Sequence, residues 1–433
     1  MTPGPVTTST LRRPRPPAGP DGTRLLLGWY ETGGPAGLAE HLDRYGPAPS
    51  AAAPETLIDA VLRAGLTGRG GGGFPTGRKL AAVAERRGPA VVVANGMESE
   101  PAGRKDATLL HLAPHLVLDG AVLAAVATGA ATVHLCLART RGEQVRRLVR
   151  AVGERRRAGV DPVPVEVHTL PHHFVSSEET ALVNWLNGGA ARPRATPPRP
   201  FEKGVARRPT LVDNVETLAH LALIARYGPE WFREQGGPEA PGTALTALTG
   251  SVRRPGVYEL PADSSVSTAL DAAGGPAGRL GAVLVGGFFG SWLPAPPHGA
   301  DPGRLAGVVA ALPEEACGLA ETAAVLAYLG AQSARQCGPC RFGLPSVAED
   351  FAELAWGRAG APVLERLNHR LGLLPGRGAC RHPDGAARLA VSALRVFGDH
   401  VARHLSHGPC AFAHAPLTLP VPAARPPAED AWR

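Results

Sequence analysis

Short apolar runs alternate with amphipathic stretches between residues 65 and 227. The runs AVVVAN (90–95), ATVHLCLA (131–138) and VPVEVHTL (163–170) are rich in β-branched residues, which is typical of buried strands. Helical periodicity marks the intervening stretches LHLAPHLVLDGAVLAAVATG and GEQVRRLVRAVGERR. Because strands that alternate with helices favour a mainly parallel sheet, the pattern predicts an α/β domain over residues 23–240.

The pattern changes after the Gly/Pro-rich stretch YGPEWFREQGGPEAPGT (227–243). Two strand-like runs, a short helix and a strand pair in GAVLVGGFFGSWL predict a small β-grasp domain over residues 241–305. Four amphipathic helical segments follow, so residues 306–410 are predicted to form a four-helix bundle. The Pro/Arg-rich ends, 1–22 and 411–433, are predicted to be a disordered leader and a flexible tail.

Composition narrows the class of protein. The net charge is +7, but the arginines are scattered and no basic stripe interleaves with aromatics, which argues against nucleic-acid binding and suits an acidic protein partner such as a ferredoxin. No apolar run is long enough to predict a membrane span, and no apolar stretch follows the basic N-terminus as in a secretory signal. We therefore expect a cytoplasmic chain, where cysteines more often serve metals or catalysis than disulfides.

A glycine-rich loop, GLTGRGGGGFPTGRK (65–79), is the first candidate binding element. Glycine removes side chains where a backbone approaches a ligand, and it allows the φ > 0 conformations that form anion-binding nests. No strand precedes the loop and no Gly-Lys-Ser/Thr closes it, so it is neither a dinucleotide fingerprint nor a Walker loop. The flanking helical segments and the presence of Phe74, Pro75 and Lys79 favour a phosphate or nucleotide cradle over a flexible linker.

Polar residues follow the strand AVVVA in NGMESEPAGRKD (95–106), and ligand groups gather at the carboxyl ends of strands in open α/β sheets. Asn95 would hydrogen-bond a ring or ribityl group, and Glu98 and Glu100 would accept from ribose hydroxyls. A solvated acidic turn explains the same residues. Helix capping alone also accounts for SSEETALVNWL (176–186) and much of RRPTLVDNVETLAHL (207–221).

Three of the cysteines are not predicted to form a site. Cys136 lies in an apolar strand and is expected in the core, and Cys410 near the C-terminus is expected to be inert. Cys317 precedes Cys337 by about 30 Å of helix, which is too far for a shared site unless the chain turns back.

The tetrapeptide CGPC, from Cys337 to Cys340, matches the thioredoxin-like dithiol motif in its letters. A helical pattern rather than a strand runs into it, so the thioredoxin interpretation is disfavoured. Cys337, Cys340 and Cys380 remain as candidate metal ligands.

The order of these segments carries a family resemblance. Glycine loop, NGMESEP, SSEETAL, RPRATPPRP, PTLVDNVET, β-grasp unit and cysteine-bearing bundle together resemble the FMN- and NADH-binding flavoprotein subunit of respiratory complex I. The same subunit type is the diaphorase component of some hydrogenases and formate dehydrogenases. The resemblance spans roughly residues 25–408 and implies a Rossmann-like FMN domain, a soluble-ligand-binding β-grasp (SLBB) domain and an iron–sulfur-binding helical domain.

The resemblance also implies which residues bind the cofactors. The residues that would line the flavin and its phosphate are Gly68, Gly70, Gly71, Gly73 and Lys79. Those that would hold the isoalloxazine and ribityl chain are Asn95, Glu98, Ser99, Asn214 and Thr217. Those that would face NADH are Glu100, Glu178, Glu179 and the aromatic walls Phe74 and Phe174. FMN itself would carry out the hydride transfer, with Glu100 as the side chain beside the nicotinamide.

For the iron–sulfur cluster the resemblance implies a Cys-x-x-Cys-x-x-Cys motif and one distant cysteine. Cys337 and Cys340 match the second and third ligands and Cys380 the fourth, but Ala334 stands at the first position. The open outcomes are a 3Fe-4S cluster, a 4Fe-4S cluster with a non-cysteine ligand such as His382, solvent or a partner's group, or no stable cluster. Zinc held by Cys₃His is the structural alternative.

The chain departs from the family pattern at five further positions. They are Met97 for Asp, Ser177 for Gly, Leu80 and Ala82 for aromatics, and Arg199 for an aromatic. The resemblance therefore supports the flavin site better than the NADH site.

The function that follows from the resemblance is hydride transfer from NADH to FMN, then single-electron transfer through the cluster. The recipient would be a ferredoxin or other oxidoreductase subunits, including those of a membrane-associated complex. The alternatives are a ferredoxin-linked flavin and iron–sulfur carrier that does not use NADH, and a non-catalytic SLBB scaffold.

Overall fold

The computed structural model describes residues 23–26, 29, 35–49, 54–295, 307–357 and 360–433, so the predicted leader lies outside the described residues. The chain is a mixed α/β protein with a parallel sheet and a helical C-terminal region. Its strands are β1 Ala90–Gly96, β2 Ala130–Ala138, β3 Val165–Leu170, β4 Thr210–Asn214, β5 Thr243–Gly250, β6 Gly256–Pro261, β7 Leu280–Val285, β8 Ser291–Pro294 and β9 Val308–Pro313.

Helices of the first part of the chain surround the first sheet. They are α1 Leu38–Tyr45, α2 Pro54–Ala64, α3 Thr76–Ala84, α4 Lys105–Leu112, α5 Pro114–Thr128, α6 Gly142–Ala158, α7 Glu179–Leu186, α8 Pro200–Lys203, α9 Val215–Tyr227 and α10 Pro229–Arg233. The later helices are α11 Val266–Ala272, α12 Gly318–Ala331, α13 Leu344–Trp356, α14 Ala361–Leu373, α15 His382–Val396 and α16 Gly398–His407.

The first sheet has the strand order β3-β2-β1-β4, and all three pairings are parallel. The three predicted strands are present, whereas β4 was interpreted only as a helix cap because TLVDN is short and ends in capping residues. One predicted helical stretch is two helices, since α4 ends at Leu112 and Pro114 begins α5 after a bend of 97°. A proline disfavours helical dihedrals in the residue before it, which accounts for the break.

The second sheet has the order β6-β5-β9-β7-β8 and mixes parallel and antiparallel pairs. The boundary predicted after residue 305 is wrong for this sheet, because β9 lies beyond it and pairs with both β5 and β7. A short apolar run such as VVAALP does not distinguish a strand from a buried helix by its periodicity, so sequence alone placed it in the helical region.

The helical region contains each of the four predicted segments, but the last is broken into α15 and α16 at Phe397. The predicted flexible tail instead packs on the rest of the protein. Leu419 and Trp432 are 3% and 1% exposed, and the Leu419 amide donates to Glu321 of α12 at 3.1 Å. Pro-rich composition suggested disorder, but apolar residues interspersed among the prolines find a surface to cover.

Among the described residues no single helix is long and apolar enough to cross a membrane. The bent pair α4 and α5 reaches that length and composition only when the two helices are taken together. Nearly every residue of α5 is buried within the protein.

Candidate functional site

The carboxyl ends of β1 and β4 meet at one edge of the parallel sheet. Asn95 and Asn214 are register partners there, as expected for adjacent parallel strands. The glycine loop lies against the same edge, since a Cβ built on Gly70 would stand 3.2 Å from the Asn214 Cβ. The Thr217 hydroxyl accepts from the Arg69 amide at 2.9 Å, so the start of α9 fixes the loop.

The glycine loop is a closed turn with an open tip. The Gly68 amide donates to the Phe74 carbonyl at 2.9 Å, which closes the base of the turn. Gly71 and Gly73 have φ of +93° and +61°, values that favour glycine. A Cβ on Gly71 or Gly72 would meet no atom within 4 Å, and Phe74 is 57% exposed. The loop therefore presents backbone and one aromatic ring to open space.

Lys79 lies below the loop and joins three elements. Its ammonium donates to the Val212 carbonyl and stands 3.5 Å from Glu179 and 3.6 Å from Asp213. Burial raises the pKa of Asp213, and the nearby lysine opposes this shift. The lysine thus remains close to the sheet edge with a quarter of its side chain exposed.

Glu98 is held by its own segment. Its carboxylate accepts from the Asp106 amide at 2.9 Å and the Ala107 amide at 3.0 Å, and Arg141 donates to it at 3.0 Å. Burial and the neighbouring Asp106 raise the pKa of Glu98. The carboxylate therefore satisfies the free amides at the start of α4, a structural task that its capacity to accept hydrogen bonds largely serves.

Glu100 reaches from the first sheet to the second. Its carboxylate accepts from the Phe288 amide at 3.0 Å and the Ala102 amide at 3.3 Å. A Cβ on Gly287, whose φ is +67°, would come within 2.7 Å of this carboxylate. Burial raises the pKa of Glu100 to about 7.

Ser177 connects two of the predicted cofactor residues. Its carbonyl accepts from the Asn95 side chain at 2.9 Å, and its hydroxyl lies 2.5 Å from that of Ser99. Ser99 also contacts the Phe174 carbonyl at 2.6 Å. The serine that replaces the family's glycine is therefore accommodated by a hydrogen bond.

The two acids before and within α7 have different surroundings. Glu178 is the N-cap residue, and its carboxylate accepts from the Thr180 amide at 2.9 Å and the Ala181 amide at 3.1 Å. Burial raises the pKa of Glu178. Glu179 instead faces Lys79 and is about one third exposed.

A cavity of about 960 Å³ opens beside the acidic segment. Four predicted site residues line it: Glu98, Ser99, Glu100 and Phe174. The glycine loop does not line it, so the structure places the predicted residues around two adjoining spaces. Residues that the sequence reasoning missed also line the cavity, namely Arg104, Arg141, His172, His173 and Tyr328.

Two of those missed residues had a signal in the sequence. Arg141 and His172 follow the carboxyl ends of β2 and β3, the rule that had been applied to β1 alone. Phe174 is not an open wall, because it is 7% exposed and packs edge-on against Phe289 with 4.8 Å between ring centroids.

The departures from the family pattern lie mostly away from this cavity. Met97 is fully buried in a cluster with Val91 and Leu182, and Leu80 is fully buried in the main core. Arg199 is exposed at the start of α8. Met97 and Leu80 thus serve packing, so neither removes a group that faces the candidate site.

The predicted cluster cysteines surround the π-helical turn Pro339–Gly343. Cys340 is buried there, Cys337 and Cys380 are half-buried, and Ala334 is 8% exposed. Burial, then the adjacent Cys337 and Cys380, raise the pKa of Cys340. The sulfurs of these three described residues do not meet the spacing of 4.8 Å at which a single ion could bridge them, which disfavours the mononuclear zinc alternative.

His382, the predicted substitute ligand, is 2% exposed and close to these cysteines in sequence. Its Nε2 lies 2.8 Å from the Leu329 carbonyl, which fixes Nε2 as the protonated nitrogen. Its Nδ1 has no hydrogen-bond partner in the part of the chain that the structure describes.

Comparison with known proteins decides the family. Residues 61–223 match the Nuo51 FMN-binding domain, 245–284 the SLBB domain, and 316–404 the NADH-ubiquinone oxidoreductase-F iron-sulfur binding region. One of the NADH-quinone oxidoreductase F subunits, that numbered 2 in Rhizobium meliloti, is 32% identical over 91% of this chain and 97% of its own length. This chain belongs to the family of NADH-quinone oxidoreductase F subunits. The F subunit of Streptomyces coelicolor is also 32% identical, over 85% of this chain and 87% of its own length.

Solved structures agree with this membership. A chain of an NAD⁺-reducing [NiFe]-hydrogenase in the H₂-reduced state superimposes with a TM-score of 0.79 and 31% identity. The match covers 86% of this chain and 68% of the hydrogenase chain. The predicted resemblance to complex I flavoprotein and hydrogenase diaphorase subunits is confirmed.

Proposed function

We propose that this chain oxidises NADH through bound FMN and passes electrons singly, through an iron–sulfur cluster, to a partner protein. The observation that carries the proposal is the open glycine loop at the carboxyl edge of the parallel sheet, in a member of the family of F subunits. The NAD⁺-reducing hydrogenase similarity supports nicotinamide as the hydride partner.

The residues at the sheet edge fit a flavin mononucleotide. Open space beyond Gly71 and Gly72 leaves room for a ligand, and loop amides with the nearby Lys79 supply donors and positive charge for a phosphate. Asn95 and Asn214 place amide groups side by side at the strand ends, where they would orient the ring system and ribityl chain. FMN, when bound, supplies the conversion between two-electron and one-electron transfer.

The cavity beside the acidic segment fits the dinucleotide. Arg104 and Arg141 line it and supply positive charge for a pyrophosphate. Glu179 near Lys79 and Glu100 deep in the cavity would face the ribose and nicotinamide ends. The apolar Phe174 and Tyr328 side chains would limit water at the inner end of the cavity.

The cysteine set fits an iron–sulfur cluster with three protein thiolates. Cys337, Cys340 and Cys380 are free thiols near one another, and Ala334 leaves the family's remaining position without a sulfur. Burial raises the pKa of both Cys340 and Cys380, so cluster insertion must displace protons from these two thiols. We propose a three-cysteine cluster whose fourth corner is filled by a group other than cysteine.

We further propose the finer architecture predicted from the sequence, a Rossmann-like FMN domain, a β-grasp domain and a helical bundle. The all-parallel first sheet and the small mixed second sheet with α11 support it. The relatives are named as subunits, so we propose that a partner subunit receives the electrons and that the chain works in the cytoplasm.

Anaerobic spectroscopy of the FMN-loaded protein tests the redox proposal. Addition of NADH should bleach the flavin absorbance, and EPR should then show which cluster type accepts electrons. Bleaching by reduced ferredoxin but not by NADH would support the electron carrier instead. A protein that is purified without flavin and cannot take up FMN would support the scaffold.

Substitution of Gly72 tests the flavin site. Gly72→Val adds a side chain where the protein has open space, so we expect little change in melting temperature but at least about tenfold weaker FMN binding from overlap with the ligand. Gly278 is equally open in another loop, and Gly278→Val is the matched control. Unchanged FMN affinity in Gly72→Val would contradict the assignment of the loop.

A further inference from the structure

A second cluster of metal-ligating side chains lies in the helical region, apart from the three cysteines assigned to iron. Cys317, His404 and Cys410 each offer one ligand atom, and these atoms all lie within 4.8 Å of one another. Cys317 precedes α12, His404 lies in the last turn of α16, and Cys410 follows it. In a tetrahedral zinc site with Zn–S of about 2.3 Å, ligand atoms stand roughly 3.5–3.8 Å apart. The Cys317 sulfur is 3.8 Å from His404 Nε2, which matches this spacing.

The imidazole of His404 is oriented as a metal ligand. Its Nδ1 lies 3.1 Å from the Leu354 carbonyl, which can only accept, so Nδ1 carries the proton. Its Nε2 accepts from the Cys410 amide at 3.1 Å, so the Nε2 lone pair points toward the two sulfurs. A histidine that donates one ring N–H to a carbonyl and presents its other nitrogen is the usual arrangement in metal sites. Its side chain is 1% exposed, so this orientation is enforced by packing.

The surroundings of Cys317 suit a thiolate bound to a cation. The side chain is 2% exposed at the start of the 14-residue helix α12, and the Leu319 and Ala320 amides donate to its sulfur. In the metal-free chain, burial first and then the adjacent Cys410 raise the pKa of Cys317 to about 12. Two neutral thiols in contact leave the site without charge, and a divalent ion that displaces both protons would keep it neutral.

The site has access to solvent on one side. A surface depression of about 350 Å³ is lined by Arg403, His407, Gly408, Pro409 and Cys410. It gives an ion a path to Cys410 and leaves a fourth position open to water, as in zinc sites with three protein ligands.

We propose that Cys317, His404 and Cys410 bind one zinc ion that is independent of the flavin and iron–sulfur cofactors. The ion would fix the start of the C-terminal segment 410–433 against α12. That segment continues along the same helix, where Leu419 bonds Glu321, and reaches the main cavity at Pro422 and Ala423.

Metal analysis of the cluster-loaded full chain, expressed with added zinc and kept reduced, tests the proposal. We expect about one zinc per chain in addition to the cluster iron. Cys410→Ser should weaken zinc binding by at least about 10- to 100-fold and leave the iron content unchanged. Cys340→Ser should do the opposite, and Cys136→Ser, which changes a buried strand cysteine, should alter neither metal.

A variant that retains a ligand separates binding from folding. Cys410→His keeps a zinc-binding group at the half-buried position and should retain zinc, whereas Cys410→Ser should not. Cobalt added to the zinc-free chain should give the thiolate charge-transfer bands of a tetrahedral site, and Cys410→Ser should lose them. Wild-type protein without zinc, zinc retained by Cys410→Ser, or a Cys317–Cys410 disulfide in the reduced preparation would each overturn the proposal.

Discussion

The glycine loop (residues 65–79) and the acidic segment (residues 95–106) were both predicted to face the cofactors, but the protein uses their polar groups differently. The tip of the glycine loop, at Gly71 and Gly72, faces open space. In the acidic segment, Glu98 and Glu100 each accept hydrogen bonds from two backbone amides of the protein itself. Substitutions in the loop should therefore change ligand binding, whereas substitutions in the acidic segment should first change stability.

The largest expected effect is at Lys105, which ends the acidic segment. Its ammonium lies 2.6 Å from Asp106 and 2.8 Å from Glu216, and all three groups are buried. Burial alone would lower the pKa of Lys105, but these two carboxylates raise it above its usual value. Removal of one partner from a buried ion pair typically costs about 3–5 kcal/mol, because it leaves an uncompensated charge. We expect Lys105→Met to lower the free energy of unfolding by about this amount, measured by denaturant titration.

Lys203→Met is the matched control, because Lys203 is exposed at the end of α8. It should change the free energy of unfolding by less than about 0.5 kcal/mol. If both lysine variants were equally stable and only FMN binding fell in Lys105→Met, the acidic segment would be a ligand site like the glycine loop, and the contrast between the two would fail.

The Lys105 network shows which part of the site was predictable from sequence. The rule that ligand groups follow parallel strands placed Asn95 and Asn214 correctly, because the sheet topology was legible in the alternation of strands and helices. The pairing of Lys105 with Glu216, 111 residues later, was not legible, since no local pattern records which buried charges meet.

The same limit explains the cysteines. Cys337 and Cys340 stand out because they share one short motif, and their assignment needed only spacing. Cys317 and Cys410 were interpreted as unconnected or inert, because the return of α16 toward the start of α12 brings them together only in the fold. A metal site assembled from residues 93 positions apart has no local signature in one sequence.

The next expected effect is a pH dependence of stability that comes from Glu100. Burial raises its pKa from 4.5 to about 7 in the folded protein. The folded state then binds more protons than the unfolded state between these values, so stability is lost as the pH rises through that window. Glu100→Gln stays neutral, and should gain up to about 3 kcal/mol relative to wild type between pH 4.5 and pH 7.

Unfolding free energies of wild type and Glu100→Gln, measured across pH 4.5 to 8, check this expectation. Glu239→Gln, at an exposed position in the loop before β5, should show the wild-type pH profile. Parallel profiles for wild type and Glu100→Gln would mean that the carboxyl is solvated, and that the acidic segment is open to ligands in the manner of the glycine loop.

The smallest expected effect compares two adjacent acids at α7. Glu178 caps the helix through two amides, so Glu178→Ala should cost about 1 kcal/mol of unfolding free energy, the usual value of an N-cap. Glu179 contacts Lys79 and is about one third exposed, so Glu179→Ala should cost less than about 0.5 kcal/mol and change NADH or FMN binding instead. Calorimetry and ligand titration of both variants separate the two roles. Equal stability losses would show that Glu179 also belongs to the fold, and would leave Lys79 and the glycine loop as the part of the site free for ligands.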